Sequence, residues 1–394
     1  MIESGGAAVK PKAGRVALDA RHLRQRPDPV KRNKRSRSWF PPVHLGMKSI
    51  HRCLRLPALT IAAGLCSLAA GYSQAKPNPQ MQAVLDKFAS LQPKAVESLS
   101  AEDARHEPSP AVAAAAVMKD KNLTPPKYDG DIDNTELKLG TGNVKAQIYS
   151  PKSDGLRPGI LYIHGGGWVI ADLVTYEASP RALAIGTGAV VVSTHYRQGP
   201  ENKFPAAHND TVGAYEWMLG NAEKLKIDPK KIAVVGESAG GNMAVDICMA
   251  AVEKKLTPPI YQVLIYPVSE AAAQTSPSME AYKDAKPLNT PMLKWFAKNY
   301  LNNDAEAADI RMSPALAGEK LKGLPPATII AAEIDPLLSG IEKLSQALQA
   351  QGVKVNYKMY PGVTHEFFGM GALVDKAKEA EDLVNNDLKK AFGQ

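Results

Sequence analysis

The sequence predicts an α/β fold, a doubly wound and mostly parallel sheet flanked by helices. Two observations carry this. Short apolar runs rich in Val and Ile recur at 159–163, 189–193, 231–235, 261–266 and 327–331. Continuous runs of that length suit strands buried on both faces, as parallel strands are. The segments between them can hold helices, and strand alternating with helix is the pattern of a parallel sheet covered by its own crossovers.

Taken in order, the elements begin with an amphipathic helix in which Met81, Val84, Leu85 and Phe88 recur at i, i+3, i+4 and i+7. A second helix is expected over 111–118, and Pro125-Pro126 ends this helical stretch. Residues 137–139 and 144–149 alternate, as half-exposed strands do. The buried runs follow, with helices expected over 205–219, 240–252 and 337–351. A last strand at 354–360 precedes a last helix near 376–391. One insertion of about sixty residues separates the runs at 261–266 and 327–331. In it Thr290-Pro291 reads as N-cap and first turn, and Met292, Trp295, Phe296 and Tyr300 follow on one side. Loops beyond the carboxyl edge of a parallel sheet normally host the site, so the insertion is expected to cap a pocket.

Charge excludes one class of partner. The 394 residues carry 48 Lys and Arg against 40 Asp and Glu, a formal +8. The excess is confined to the start. Residues 1–46 hold 11 basic and 3 acidic residues, and 47–75 add Lys48, Arg52 and Arg55 with no acid. Residues 76–394 carry a net charge of −3. No nucleic-acid partner is expected of such a surface.

Met47 opens a stretch that reads as a secretory signal. Lys48, His51, Arg52 and Arg55 form a basic region, and 56–70 is mostly apolar but short for a membrane span. Ser73 and Ala75 are the small residues that a cleavage after Ala75 requires. Residues 47–75 are therefore expected to be a signal peptide, with export to periplasm or medium and no stable membrane anchor. Residues 1–46 read as a basic disordered extension, or as sequence upstream of a true start at Met47. Cys53 and Cys66 lie in the signal, so Cys248 alone would remain and no internal disulfide is expected.

The chemistry-bearing residues sit where strands end. Gly236-Glu237-Ser238-Ala239-Gly240 follows the apolar run ending at Val235 and precedes a helical segment. That is the context of a nucleophile elbow, in which a tight strand-to-helix turn exposes the serine. His164-Gly165-Gly166-Gly167 follows the run ending at Ile163. Glycines let a backbone approach a substrate carbonyl, and the amides of Gly165, Gly166 and Ala239 are expected to form an oxyanion hole. His164 is expected to brace that loop. A serine needs a base and the base an orienting acid. His365, just past the last predicted strand, is the base, and Asp335 in Glu333-Ile334-Asp335-Pro336 is the acid, with Glu333 a supporting group. The order Ser238, Asp335, His365 is that of the α/β-hydrolases.

Together these residues resemble the hormone-sensitive-lipase-like carboxylesterases. The resemblance rests on 164–168 (HGGGW), 195–207 (HYRQGPENKFPAA), 236–240 (GESAG), 335–337 (DPL) and 362–368 (GVTHEFF). Gln198 and Gly199 depart from the family segment around them, Glu237 stands where many relatives carry Asp, and Glu366 where Gly is usual. The resemblance implies an α/β-hydrolase fold with an eight-stranded sheet. Residues 76–130 would be N-terminal cap helices, and 131–394 the catalytic domain with a cap insertion at about 270–320. It implies hydrolysis of short- to medium-chain esters, small-molecule substrates, without metal or cofactor. Trp168, Tyr196 and Phe204 would line the pocket. Two other readings stay open: a serine peptidase or amidase of the same fold, and a non-catalytic ligand receptor. The sequence leaves the oligomeric state undetermined.

Overall fold

The computed structural model describes residues 75–394; the expected basic extension and all of the expected signal segment but Ala75 lie outside the described residues. Three helices come first, α1 (Pro79–Ser90), α2 (Ala101–Ala104) and α3 (Pro110–Asp120). Each starts on a side-chain cap. Asn78 accepts from the Met81 amide at 2.9 Å, Ser100 from Asp103 at 3.1 Å and Ser109 from Val112 at 3.4 Å, which satisfies donors a helix start leaves orphaned.

An eight-stranded sheet follows. In chain order its elements are β1 (Gly130–Leu139), β2 (Gly142–Pro151), β3 (Arg157–Ile163), α4 (Ala178–Thr187), β4 (Val190–Thr194), α5 (Ala206–Gly220), β5 (Ile227–Glu237), α6 (Ala239–Glu253) and β6 (Tyr261–Ile265). The insertion then holds α7 (Pro277–Ala281), α8 (Thr290–Tyr300) and short 3-10 turns, before β7 (Ala327–Ile334), α9 (Leu338–Ala350), β8 (Val355–Thr364) and α10 (Asp375–Phe392). The spatial order is β1-β2-β4-β3-β5-β6-β7-β8. β2 pairs antiparallel with β1 and β4, and every other pairing is parallel. Burial follows pairing type. Ile160 to Ile163, Val234, Val235 and Ile329 to Ala332 are fully buried, whereas in β1 only Leu137 is.

Three details differ from the sequence expectation. β5 begins at Ile227, four residues before the apolar run, because Ile227 already pairs with Arg157 across the polar stretch 228–231. α4 was not expected; its small and polar residues mask the periodicity. The cap of α8 is Asn289, not Thr290. Asn289 Oδ1 accepts from the Met292 amide at 2.8 Å, and Thr290, the first helical residue, donates its hydroxyl to Met279 O at 2.6 Å.

The apolar side of α8 is buried as its spacing requires, with Met292, Trp295, Phe296 and Tyr300 all inside. Two hydrogen bonds tie the insertion to the N-terminal helices. Trp295 Nε1 donates to Leu99 O at 3.0 Å, and Asn289 Nδ2 to Glu97 Oε1 at 3.1 Å. The two segments thus make one roof. Among the described residues no helix is long and apolar enough to cross a membrane.

Candidate active site

Ser238 is the single residue between β5 and α6, and it turns the chain sharply, at φ 55° and ψ −117°. A side chain at positive φ costs of the order of 1–3 kcal/mol and persists only where its surroundings enforce it. Here they do. The Ser238 amide donates to Ile265 O at 2.9 Å, and its carbonyl accepts from Asn242 and Val268 amides at 3.1 Å each. The flanking glycines are a steric demand. A Cβ on Gly236 would collide with the Gly240 carbonyl, and one on Gly240 with the Ile163 carbonyl. The motif's spacing therefore reflects how closely β3, β5 and α6 approach.

Three strand ends bring the polar groups together. Asp335 follows β7 and His365 follows β8. His365 Nε2 lies 3.0 Å from Ser238 Oγ, and His365 Nδ1 lies 2.6 Å from Asp335 Oδ2. Asp335 Oδ1 accepts from the Leu337 amide at 2.9 Å, which fixes the carboxylate. All three residues are buried. Burial alone would push the His365 pKa down, but the Asp335 charge and hydrogen bond outweigh it, so the pKa stands above 6.5. Asp335 holds a proton on Nδ1 and leaves the Nε2 lone pair facing the serine hydroxyl. Glu333, the other carboxylate of that segment, instead accepts from the Gly362 amide at 2.8 Å.

The glycine loop lies beside this relay. His164 Nδ1 is 2.8 Å from Gly165 O and Nε2 is 2.9 Å from His195 Nδ1. Burial, with the neighbouring His195, holds the His164 pKa down at about 3. A histidine kept neutral and bonded at both nitrogens braces a loop. Gly166 sits at φ 94°, and its carbonyl accepts from Val169 and Ile170 at 3.0 and 2.9 Å. Of the expected oxyanion-hole glycines, Gly166 borders the cavity next to Ser238 and Gly165 does not. Gly165 packs against the Tyr176 hydroxyl and the Glu237 carbonyl. Gly167 borders the cavity beside it, so the two glycines of the loop that line the cavity are Gly166 and Gly167. Ala239 opens α6, where free amides and the helix dipole favour negative charge.

Two cavities meet at Ser238. The larger, about 430 Å³, is lined by Trp168, Val268, Leu293, Met312 and Leu337. The smaller, about 100 Å³, is lined by Phe88, Val96, Met292, His365 and Glu366. Gly167, Leu288 and Phe296 border both. Of the three aromatic residues expected at the pocket, Trp168 lines the larger cavity. Tyr196 and Phe204 line neither. Tyr196 stacks on His164 at 4.4 Å and donates to Gly165 O at 2.7 Å, behind the loop. Phe204 packs edge-on to His208, with the Arg311 guanidinium 4.6 Å over its ring. Aromatic residues near a motif carry no signal that separates lining from packing.

Several residues around the site had no assigned role in the sequence reading. Glu366, noted only as a departure from the usual glycine, lines the smaller cavity. Glu237 is fully buried and bonded to the hydroxyls of Tyr162 and Tyr266. Arg105, beyond α2, reaches Glu201 and the carbonyls of Val169 and Gly199. No sequence spacing links Arg105 to Glu201. Among the described residues no cluster of three or more His, Cys, Asp or Glu could hold a metal ion.

Comparison with known proteins agrees with this architecture. Residues 160–369 match a family model described as an alpha/beta hydrolase fold. An ethyl acetate hydrolase from Pseudomonas putida is 32% identical over 298 residues, 75% of this chain and 91% of that protein. The carboxylesterase NlhH of Mycobacterium tuberculosis is 34% identical over 277 residues, 68% of this chain and 86% of that one. A solved thermostable esterase from Pseudomonas putida superposes with a TM-score of 0.72 at 31% identity, covering 80% of this chain and 98% of its own. With its eight-stranded sheet, its serine elbow and these relatives, the chain belongs to the α/β-hydrolases, in their hormone-sensitive-lipase-like carboxylesterase family.

Proposed function

We propose that the protein is a serine carboxylesterase acting on short- to medium-chain esters. One observation carries this: a buried hydrogen-bonded relay, Ser238–His365–Asp335, stands where two cavities meet. Ser238 Oγ attacks the ester carbonyl as its proton passes to His365 Nε2. The amides of Gly166, Gly167 and Ala239 receive the oxyanion. His365 returns the proton to the leaving alcohol oxygen, and the acyl-enzyme remains. Water, deprotonated by His365, then attacks it; the acid leaves and Ser238 regains its proton.

The cavities divide the substrate. The alcohol must leave on the side from which His365 delivers its proton, and His365 lines the smaller cavity. The larger, mostly apolar cavity is left for the acyl group. Its size lies in the usual range for small-molecule sites, roughly 300–1,000 Å³.

The test is hydrolysis of p-nitrophenyl esters from acetate to laurate, with Ser238→Ala as control. Turnover of the shorter esters that Ser238→Ala abolishes is expected. A well-folded protein that neither turns over an ester nor reacts with a fluorophosphonate at Ser238 would overturn the reading in favour of a receptor. Faster cleavage of an amide than of an ester of the same acyl group would turn it toward a peptidase. We further propose export with cleavage after Ala75, which the basic and apolar regions of 47–75 support.

A further inference from the structure

We propose that Glu366 selects the alcohol part of the ester, and that the preferred alcohol carries a protonated amine. This rests on the serine-esterase reading. Glu366 and His365 line the same cavity, so whatever is bonded to the leaving oxygen lies beside that carboxyl group. Among the described residues one donor reaches it, the Tyr176 hydroxyl, 3.0 Å from Oε1. A carboxylate can accept several hydrogen bonds, and Oε2 has no donor among the described residues. The surrounding wall is largely apolar, with Phe88, Val96, Ile170, Met292 and Phe296. Arg105, the cation on that wall, is already engaged by both oxygens of Glu201. A ligand cation therefore meets an acceptor whose charged neighbours are Arg105, already paired with Glu201, and His365, part of the relay itself.

Electrostatics and size point the same way. Burial raises the Glu366 pKa against the pull of His365 and the Tyr176 hydrogen bond. A cation in the cavity favours the ionised carboxylate, so ligand and carboxylate reinforce each other. At about 100 Å³ the cavity is much smaller than its neighbour of about 430 Å³ and favours a short group over a long or bulky one. That suits a short amino alcohol. Glu366 also sits at φ 64°, where a side chain costs about 1–2 kcal/mol. The backbone here favours glycine, so the carboxyl group is not what shapes the turn.

The test compares 2-(dimethylamino)ethyl butyrate with 3-methylbutyl butyrate, which puts CH where the ammonium nitrogen stands. Both esters form the same butyryl-enzyme, so deacylation is common to them, and kcat/KM, which contains only the steps through acylation, reports the leaving group. Each kcat/KM is corrected by the ester's own hydroxide rate. The corrected ratio of cationic to neutral ester is expected to fall about tenfold or more in both Glu366→Gln and Glu366→Gly. The glycine variant is free of backbone strain at this φ and so guards against a folding defect. A ratio unchanged in either folded variant overturns the proposal, even if both esters slow together, because uniform slowing marks a structural role. Failure of the wild-type protein to hydrolyse either ester, with Ser238 unreactive, would instead overturn the esterase reading on which it rests.

Discussion

Tyr162 donates its hydroxyl to Glu237 Oε1 at 2.6 Å, which joins the strand feeding the glycine loop to the strand ending in the serine. Tyr266, beyond β6, bonds the other carboxylate oxygen and lies with its ring centroid 4.5 Å from that of His365. One buried carboxyl group thus ties together three of the strand ends that carry the site. It pays a desolvation cost: burial pushes the Glu237 pKa up to about 7, although hydrogen bonds from Ser179, Tyr162 and Tyr266 oppose the shift.

That shift predicts a pH-dependent stability. The folded state holds the Glu237 proton more tightly than the unfolded chain, whose carboxyl titrates near 4.5. The contribution is full at acid pH and is lost as pH rises from about 4.5 to about 7. In Glu237→Gln nothing titrates there. The wild type should therefore lose on the order of 3 kcal/mol relative to the variant across that window. Urea unfolding of both proteins at a series of pH values measures it. A difference independent of pH would show that Glu237 does not titrate in that range.

Asp335 sets a second pH effect, on activity. Only neutral His365 can accept the serine proton, so kcat/KM should fall as pH drops through a pKa above 6.5. In Asp335→Asn the charge and the hydrogen bond that Asp335 supplies vanish, while burial and the smaller pulls of Glu366 and Glu237 remain, so the acid limb should move down. The maximal rate should also fall by about 10³–10⁴-fold, because the carboxamide no longer holds the productive tautomer. Full pH profiles of both proteins check both parts. An acid limb that stays in place would mean that Asp335 does not govern His365.

The residues whose chemistry or backbone demands a particular type were legible in the sequence, and the walls built by tertiary approach were not. Ser238 and the glycine loop announce themselves because backbone contact leaves no room for other side chains. His365 and Asp335 follow from the chemistry a serine requires and from strand ends. The division of the pocket was not legible. Gly165 and Gly166 are alike as letters, and only the packing of Tyr176 on the first of them turns it from the cavity. Tyr196, Phe204 and Trp168 are likewise equivalent as aromatic residues until their neighbours are known. The cap of α8 is Asn289 and not the neighbouring Thr290; both are good N-caps, and the backbone decides between them.

The larger cavity should set the acyl length. Ala297 of α8 lines it, beside Leu293 and Leu301. Filling the cavity from that position with Ala297→Trp should leave room for acetyl but not for long acyl groups. Octanoate kcat/KM should fall roughly 10–100-fold more than acetate kcat/KM, the scale on which apolar pockets discriminate chain length. The p-nitrophenyl series measures it. An equal loss at every length would mean that the acyl group lies elsewhere.

Arg105 should govern the smaller cavity through the helices it fastens. Its Nη1 and Nη2 grip Glu201 at 2.8 and 2.7 Å, Nη2 also reaches Gly199 O at 2.7 Å, and Nε reaches Val169 O at 2.8 Å. These bonds fasten the N-terminal helices to the chain just beyond the glycine loop. The same helices supply Phe88, Val96 and Ala104 to the cavity wall. Arg105→Ala removes the fastening and one group of the cavity wall, but none that is hydrogen-bonded to Ser238, His365 or Asp335. Glu201 is more than half exposed, so the ion pair itself is worth little, and the loss should come to about 1–2 kcal/mol, mostly from the two carbonyls left without a donor. The expected signature is a raised KM with kcat held within about threefold, together with faster proteolysis in the segment 91–100. Lysine should not rescue it, since a single ammonium cannot span both the carboxylate and two carbonyls as the guanidinium fork does. A kcat loss without a KM change would place the effect at the relay instead and refute the role assigned to this clamp.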